Sequence, residues 1–186
     1  LLAVISSVLI VTLVGIFDDL NVASKRRINK NVKDIRVRLP QWAKPLLTLP
    51  AAIPLMVISA GNSYVNLPII GLIDVGVIYP LLFIPIGVVG ASNAINMLGG
   101  FNGLEAGMGI VYMMSLGIFA LLNQSAVSVL FFVTVASLLA FIKFNWYPAK
   151  ILPGDSLTYL LGALLAAGVI LGNMEKIGIV LIIPFF

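Results

Sequence analysis

Three polar marks interrupt an otherwise apolar chain, and their side chains are of kinds that hold cations and phosphates. They are Asp18-Asp19, the block NAINMLGGFNGLEAG at 93–107, and Gly154-Asp155. Adjacent carboxylates repel, so at least one of Asp18 and Asp19 needs a cation, a base partner or a proton. In the central block Asn93 and Asn96 stand three apart and share one face of a helix end. Gly99, Gly100 and Gly103 permit tight turns and close approach of backbone to a ligand. Asn102 offers an amide donor and acceptor together, as reading a base edge requires. Asp155 suits either a metal ligand at a helix start or an ordinary helix cap. The sequence has no histidine and no cysteine, so within it imidazole bases, thiolate nucleophiles and Cys/His zinc sites are excluded. A metal would be held by carboxylate and amide oxygens, which suits magnesium or manganese.

Each mark also has a plainer reading. Asp18-Asp19 could close a helix and pair with Lys25 or Arg26. The central block could be an interhelical turn with capping asparagines and a Glu105 contact to a lysine. Trp146 and Tyr147, in the segment before Asp155, have the character of an interfacial aromatic anchor. Eight of the eleven basic residues fall in one stretch, Lys25, Arg26, Arg27, Lys30, Lys33, Arg36, Arg38 and Lys44, most simply explained by topology and anionic lipid. Lys44 differs in directly preceding an apolar run, where its compact ammonium could hold a diphosphate.

The elements that must position these residues are membrane helices. The chain is 61% hydrophobic and 10% charged, with mean hydropathy +1.15; no soluble domain of this size needs so much apolar surface. A membrane helix takes roughly 17–25 residues. The uncharged runs then predict an all-α polytopic bundle with six spans, 1–17, 45–61, 77–97, 106–122, 126–142 and 157–172, and the start of a seventh at Ile177. Asn123-Gln124-Ser125 divides a run about twice the length of one span. Pro50 and Pro54 should kink or loosen the second span, while Pro45 fits its first turn. The loop 62–76 has the pattern of a short β-hairpin outside the membrane, although Pro68 disfavours a strand.

The whole reads as one transmembrane domain over 1–186, with a basic cytoplasmic loop at 18–44 and an extracytoplasmic loop at 62–76. It opens inside a span without methionine, basic flank or cleavage site, and stops about ten residues into the last span, too short to cross. An internal piece of a larger protein is therefore expected. The positive-inside rule puts the basic loop in the cytoplasm. Alternate threading then brings Asp18-Asp19, the central block and Asp155 to that same face. A transporter or channel usually places ionisable groups near mid-membrane; here every predicted span interior is uncharged.

Taken together, GIFDDL at 15–20, WAKPLLTLPAAIPLM at 42–56, the block at 93–107 and NWYPAKILPGD at 145–155 resemble the polyprenyl-phosphate N-acetylhexosamine-1-phosphate transferase family. The resemblance covers almost the whole chain, and the combination is specific although no single element is. Gly99 and Asn102 stand where bacterial members that build cell-wall precursors typically carry aspartates, so the chain looks like the eukaryotic and archaeal branch. The long basic insertion before Lys44 favours the archaeal side. The resemblance implies Mg2+-dependent (or Mn2+-dependent) transfer of N-acetylglucosamine-1-phosphate from UDP-N-acetylglucosamine to dolichyl or another polyprenyl phosphate, with release of UMP. It implies Asn96 and Asp155 as metal ligands, Lys44 on the diphosphate, and Asn102 with the glycine turn on uracil. Asn93, Gly99 and Glu105 complete the substrate-binding set. Asp18 and Asp19 would assist catalysis, although a lipid phosphate with a second pKa near 6 has little need of a base. The expected partners are the two substrates and the bilayer, with no nucleic acid; a homodimer is one candidate oligomeric form, which the sequence leaves open. The active site would face the cytoplasm, at the cell membrane in an archaeon or the endoplasmic reticulum in a eukaryote. A different UDP-sugar-1-phosphate transferase for envelope polymers, or a membrane transporter, is the alternative. Family members carry a later cytoplasmic loop with histidine and arginine residues that this chain lacks, so the chain alone is expected to be inactive.

Overall fold

The computed structural model describes residues 1–28, 40, 42–67 and 71–185. Among the described residues four helices are long and apolar enough to cross a membrane: Leu2–Leu20, Tyr79–Leu98, Leu104–Leu122 and Ser128–Asn145. The protein is an integral membrane helix bundle. The other two expected spans are shorter apolar helices, Ala43–Val57 and Asp155–Leu171, and each has a physical reason.

The first helix, α1, runs Leu2–Ile28, about 40 Å at 1.5 Å per residue. Asp18 and Asp19 therefore lie inside a helix rather than closing one, although the apolar stretch long enough to cross a membrane ends beside them, at Leu20. No glycine or proline occurs from 16 to 39, so nothing in the local sequence stops the helix at the carboxylates. The rest of the expected basic loop, 29–39 and 41, lies outside the described residues.

The second apolar run is broken by its prolines into α2 (Ala43–Thr48), a 3-10 turn at Leu49–Ala52 and α3 (Ile53–Val57). Pro50 and Pro54 cannot donate to the helical ladder, and the run falls short of a regular span. Two strands follow, β1 (Tyr64–Leu67) and β2 (Gly71–Asp74), paired antiparallel with Tyr64 opposite Asp74 and Leu67 opposite Gly71. A π-helical turn at Tyr79–Phe83 leads into α4 (Ile84–Leu98). The long run from 106 divides at the expected polar triplet into α5 (Leu104–Leu122) and α6 (Ser128–Asn145).

The organising element is α7 (Asp155–Leu171), buried at Thr158, Tyr159 and continuously from Leu161 to Ile170. It packs mainly on α1 and α4, while α5 and α6 form a paired layer beside it. Its length of 17 residues reflects that place: it is wrapped by helices rather than by lipid. The last helix, α8 (Glu175–Ile182), begins the region of the expected seventh span.

Small residues set these packing distances, as is usual where membrane helices approach closely. A Cβ built on Gly162 of α7 would lie 2.4 Å from Cα of Ser92 and 2.5 Å from the carbonyl oxygen of Ala91, both on α4. Gly162→Ala is therefore expected to force α4 and α7 apart and to destabilise the protein by about 1–3 kcal/mol. Gly107→Ala, where an added Cβ meets nothing within 4 Å, serves as the control. Thermal unfolding in detergent should separate them; equal melting temperatures would contradict this account of the α4–α7 contact.

Candidate active site

Four helices deliver one polar cluster to one end of the bundle. Asp18 comes from the last apolar turn of α1, Lys44 from the first turn of α2, Asn96 from the end of α4 and Asp155 from the start of α7. The Lys44 Nζ lies 2.8 Å from Oδ2 of Asp155 and 3.2 Å from Oδ2 of Asp18. It also donates to Oδ1 of Asn96 at 3.4 Å. Lys44 is 4% exposed and Asp18 1%, so these charges are held largely away from water. The Tyr159 ring lies one helical turn below Asp155, with the ammonium 5.8 Å from its centroid, within cation–π range.

Hydrogen bonding fixes the orientation of the Asn96 amide. The Thr158 hydroxyl donates to the Asp155 carbonyl oxygen at 3.1 Å and accepts from Nδ2 of Asn96 at 2.9 Å. The amide oxygen therefore turns toward Lys44. Thr48, one turn after Lys44, donates to the Lys44 and Pro45 carbonyls, both at 3.1 Å, and accepts from the Asn93 amide at 3.1 Å. Asn93 also donates to the Val89 carbonyl at 2.8 Å. Its amide thus braces α4 against α2 and is not turned toward the cluster, unlike Asn96.

The electrostatics follow from burial and pairing. Burial pulls the Lys44 ammonium toward lower pKa, but the hydrogen bond and charge of Asp155, helped by Asp18, outweigh it, and the net shift is upward. Burial pushes the Asp155 carboxyl up, but hydrogen bonding with Asp18 and Lys44 and the Lys44 charge outweigh it, and the net shift is downward. Both groups are thereby held charged.

Asp18 and Asp19, neighbours in sequence, separate in role. Asp18 faces Lys44, whereas Asp19 accepts from the backbone N–H groups of Asp155 and Ser156 at 2.9 and 3.1 Å and from the Ser156 hydroxyl at 2.9 Å. The alternative pairing of this carboxylate pair with Lys25 or Arg26 falls on side chains outside those described.

The glycine-rich turn stands beside the cluster. Glu105, buried in the first turn of α5, accepts the Gly100 N–H. Its contact is thus with the turn's own backbone rather than with a lysine. The wholly buried Asn145 accepts from the Gly103 N–H at 3.0 Å and donates to the Ile151 carbonyl at 2.9 Å. Asn145 so ties the α4–α5 turn to the segment leading into α7. Held in this way, the turn leaves Asn102 exposed and Gly99 partly so, within reach of a ligand.

Sequence reading missed Thr48, Thr158, Asn145 and Tyr159. Two had a legible signal: Thr158 is three residues after Asp155 and Thr48 four after Lys44, so each shares a helix face with its partner. Asn145 carried none, because its partners are backbone groups of irregular segments, the Gly103 N–H on a distant turn and the nearby Ile151 carbonyl.

Among the described residues no three carboxylate, histidine or cysteine side chains gather as a metal set. The oxygens that do converge are two carboxylates and one amide, and the Lys44 ammonium lies among them as a resident cation. Hard, all-oxygen donors of this kind are what magnesium and manganese take. The residues present fit such an ion.

Sequence comparison places this arrangement. A 36% identical protein of Saccharolobus solfataricus, aligned over 98% of this chain and 53% of its own length, carries the provisional name UDP-N-acetylglucosamine–dolichyl-phosphate N-acetylglucosaminephosphotransferase. The Schizosaccharomyces pombe protein of that name is 30% identical, over 98% of this chain and 42% of its own. A phospho-N-acetylmuramoyl-pentapeptide-transferase of Listeria innocua is 36% identical over 60% of this chain and 36% of its own. The chain thus spans about half the length of the curated relatives it matches, or less. The sequence model described as Glycosyl transferase family 4 matches residues 1–173, a stretch holding α1, α2, α4 and α7 with every residue of the cluster, and the chain belongs to that family.

Proposed function

We propose that this chain forms the diphosphate- and metal-binding half of an enzyme that transfers N-acetylglucosamine-1-phosphate from UDP-N-acetylglucosamine to dolichyl or a related polyprenyl phosphate, giving lipid-diphospho-N-acetylglucosamine and UMP. The observation that carries the reading is the convergence of Asp18, Lys44, Asn96 and Asp155 from four helices on one buried point. The names of the archaeal and yeast relatives supply the substrate class.

Phosphoryl transfer between two anions is governed by positioning and charge. Asn96 and Asp155 would hold Mg2+ or Mn2+, with Asp18 beside them; when bound, the ion supplies screening of the incoming and leaving phosphate oxygens. Lys44 would contact the donor diphosphate as a compact point charge. The turn held by Glu105 and Asn145 presents Asn102 to the uracil, and Glu105 acts by supporting that turn. The positive-inside pattern puts this end of the bundle in the cytoplasm, where a soluble nucleotide sugar meets a lipid acceptor.

Incubation of the full-length protein with UDP-N-acetylglucosamine and dolichyl phosphate tests the reading. It predicts UMP and lipid-diphosphosugar in equal amounts. Release of UDP would mean transfer of the sugar without its phosphate and would overturn it. Preference for a UDP-muramoyl-peptide donor would move the enzyme to the branch of the Listeria relative.

A further inference from the structure

We propose that Asp19 is a positioning residue, not a proton acceptor: from α1 it caps the N-terminus of α7 across the helix interface and so fixes Asp155 in the cluster. What the cluster does rests on the proposed function; the cap itself rests on geometry. The first N–H groups of any helix lack partners within it, and an acidic side chain is among the best caps and favours the positive end of the helix dipole. At α7 the N-cap residue is Gly154, which has no side chain to offer. Asp19 takes its place from another helix, and both its oxygens are engaged by donors at the start of α7.

The space for this cap depends on two glycines. A Cβ on Gly154 would lie 2.3 Å from Oδ2 of Asp19, so any larger residue evicts the carboxylate. One turn earlier on α1, a Cβ on Gly15 would lie 2.5 Å from Cα of Ser156. The two helices therefore meet backbone to backbone, with Asp19 filling the slot left by Gly154. Successive residues of a helix point about 100° apart, so the Asp-Asp pair divides its work. Asp18 pairs with Lys44, while the charge of Asp19 is met by the α7 terminus. The Asp155 side chain and its own N–H are then held from opposite sides, by Lys44 and by Asp19.

The experiment compares Asp19→Ala, Asp19→Asn and Gly154→Ala in the full-length protein. Hydrogen exchange of peptides covering 153–158 should quicken by about tenfold or more in Asp19→Ala and Gly154→Ala, with mid-α7 peptides unchanged. In the transfer assay kcat should fall by about 10²-fold, the cost of roughly ångström-scale misplacement. KM for both substrates and the shape of the pH–rate profile should stay as in the parent. Asp19→Asn keeps one acceptor oxygen and should recover part of the loss. Unchanged exchange at 153–158 in Asp19→Ala would overturn the proposal. So would loss of the acidic limb of the pH profile with Asn as inactive as Ala, the behaviour of a general base. If the parent protein transfers no sugar phosphate, the functional reading fails, while the exchange data still decide the cap.

Discussion

Asp155→Asn in the full-length protein is expected to lower the rate of UMP release by about 10²–10³-fold or more, the range seen when one preorganised electrostatic group is removed, while the protein still inserts and folds. The substitution keeps the shape of the side chain and leaves the Asp155 N–H on Asp19. It removes the negative charge that faces Lys44 at 2.8 Å and that would bind a divalent cation. The neutral amide also brings N–H donors toward the ammonium, so the local geometry is repelled as well as weakened. The measurement is turnover beside a melting curve in detergent. Normal turnover would remove Asp155 from the site, and collapse of the fold would assign it a structural role instead.

Lys44→Met is expected to act on both stability and binding. Lys44 is almost wholly buried against Asp155 and Asp18, and breaking a buried ion pair by removing one partner costs about 3–5 kcal/mol, because the carboxylate charge stays behind. In EDTA the variant should therefore melt well below the parent. Added Mn2+ should close much of that gap, since a divalent ion can replace the missing ammonium between Asp18 and Asp155. Affinity for the nucleotide sugar should fall, because the residue offered to the diphosphate is gone. Lys44→Arg keeps the charge and should melt closer to the parent. Equal melting of Lys44→Met and parent in EDTA would show that the ammonium does not hold these carboxylates.

Much of this site was legible in the sequence because membrane chains restrict where polarity can stand. Asp18, Lys44, Asn96 and Asp155 each stand at or beside the end of an apolar run, and threading the runs back and forth was enough to bring them to one end. Their division of labour was not legible. Nothing in the pair Asp18-Asp19 says which carboxylate turns to Lys44 and which to α7, because the answer depends on the rotation of α1 against a helix more than a hundred residues away. Asn93 and Asn96 share a face, yet only Asn96 reaches the cluster; Thr48 on a broken helix claims the other. The fold departs from the hydropathy pattern for similar reasons. Length and polarity predicted a span ending at Asp18-Asp19; the apolar stretch does end there, at Leu20, but the helix itself runs on to Ile28 because no residue there breaks it. Proline, in contrast, was a reliable sign: the run through Pro50 and Pro54 forms short turns, not a regular span.

The central claim, that Asp18, Lys44, Asn96 and Asp155 form a site for a divalent cation and a diphosphate, is tested most directly by electron paramagnetic resonance titration of the purified full-length protein with Mn2+. The account predicts one saturable Mn2+ site per chain, displaced by Mg2+, weakened by Asn96→Ala and lost in Asp155→Asn. Unchanged Mn2+ binding in both variants would contradict it.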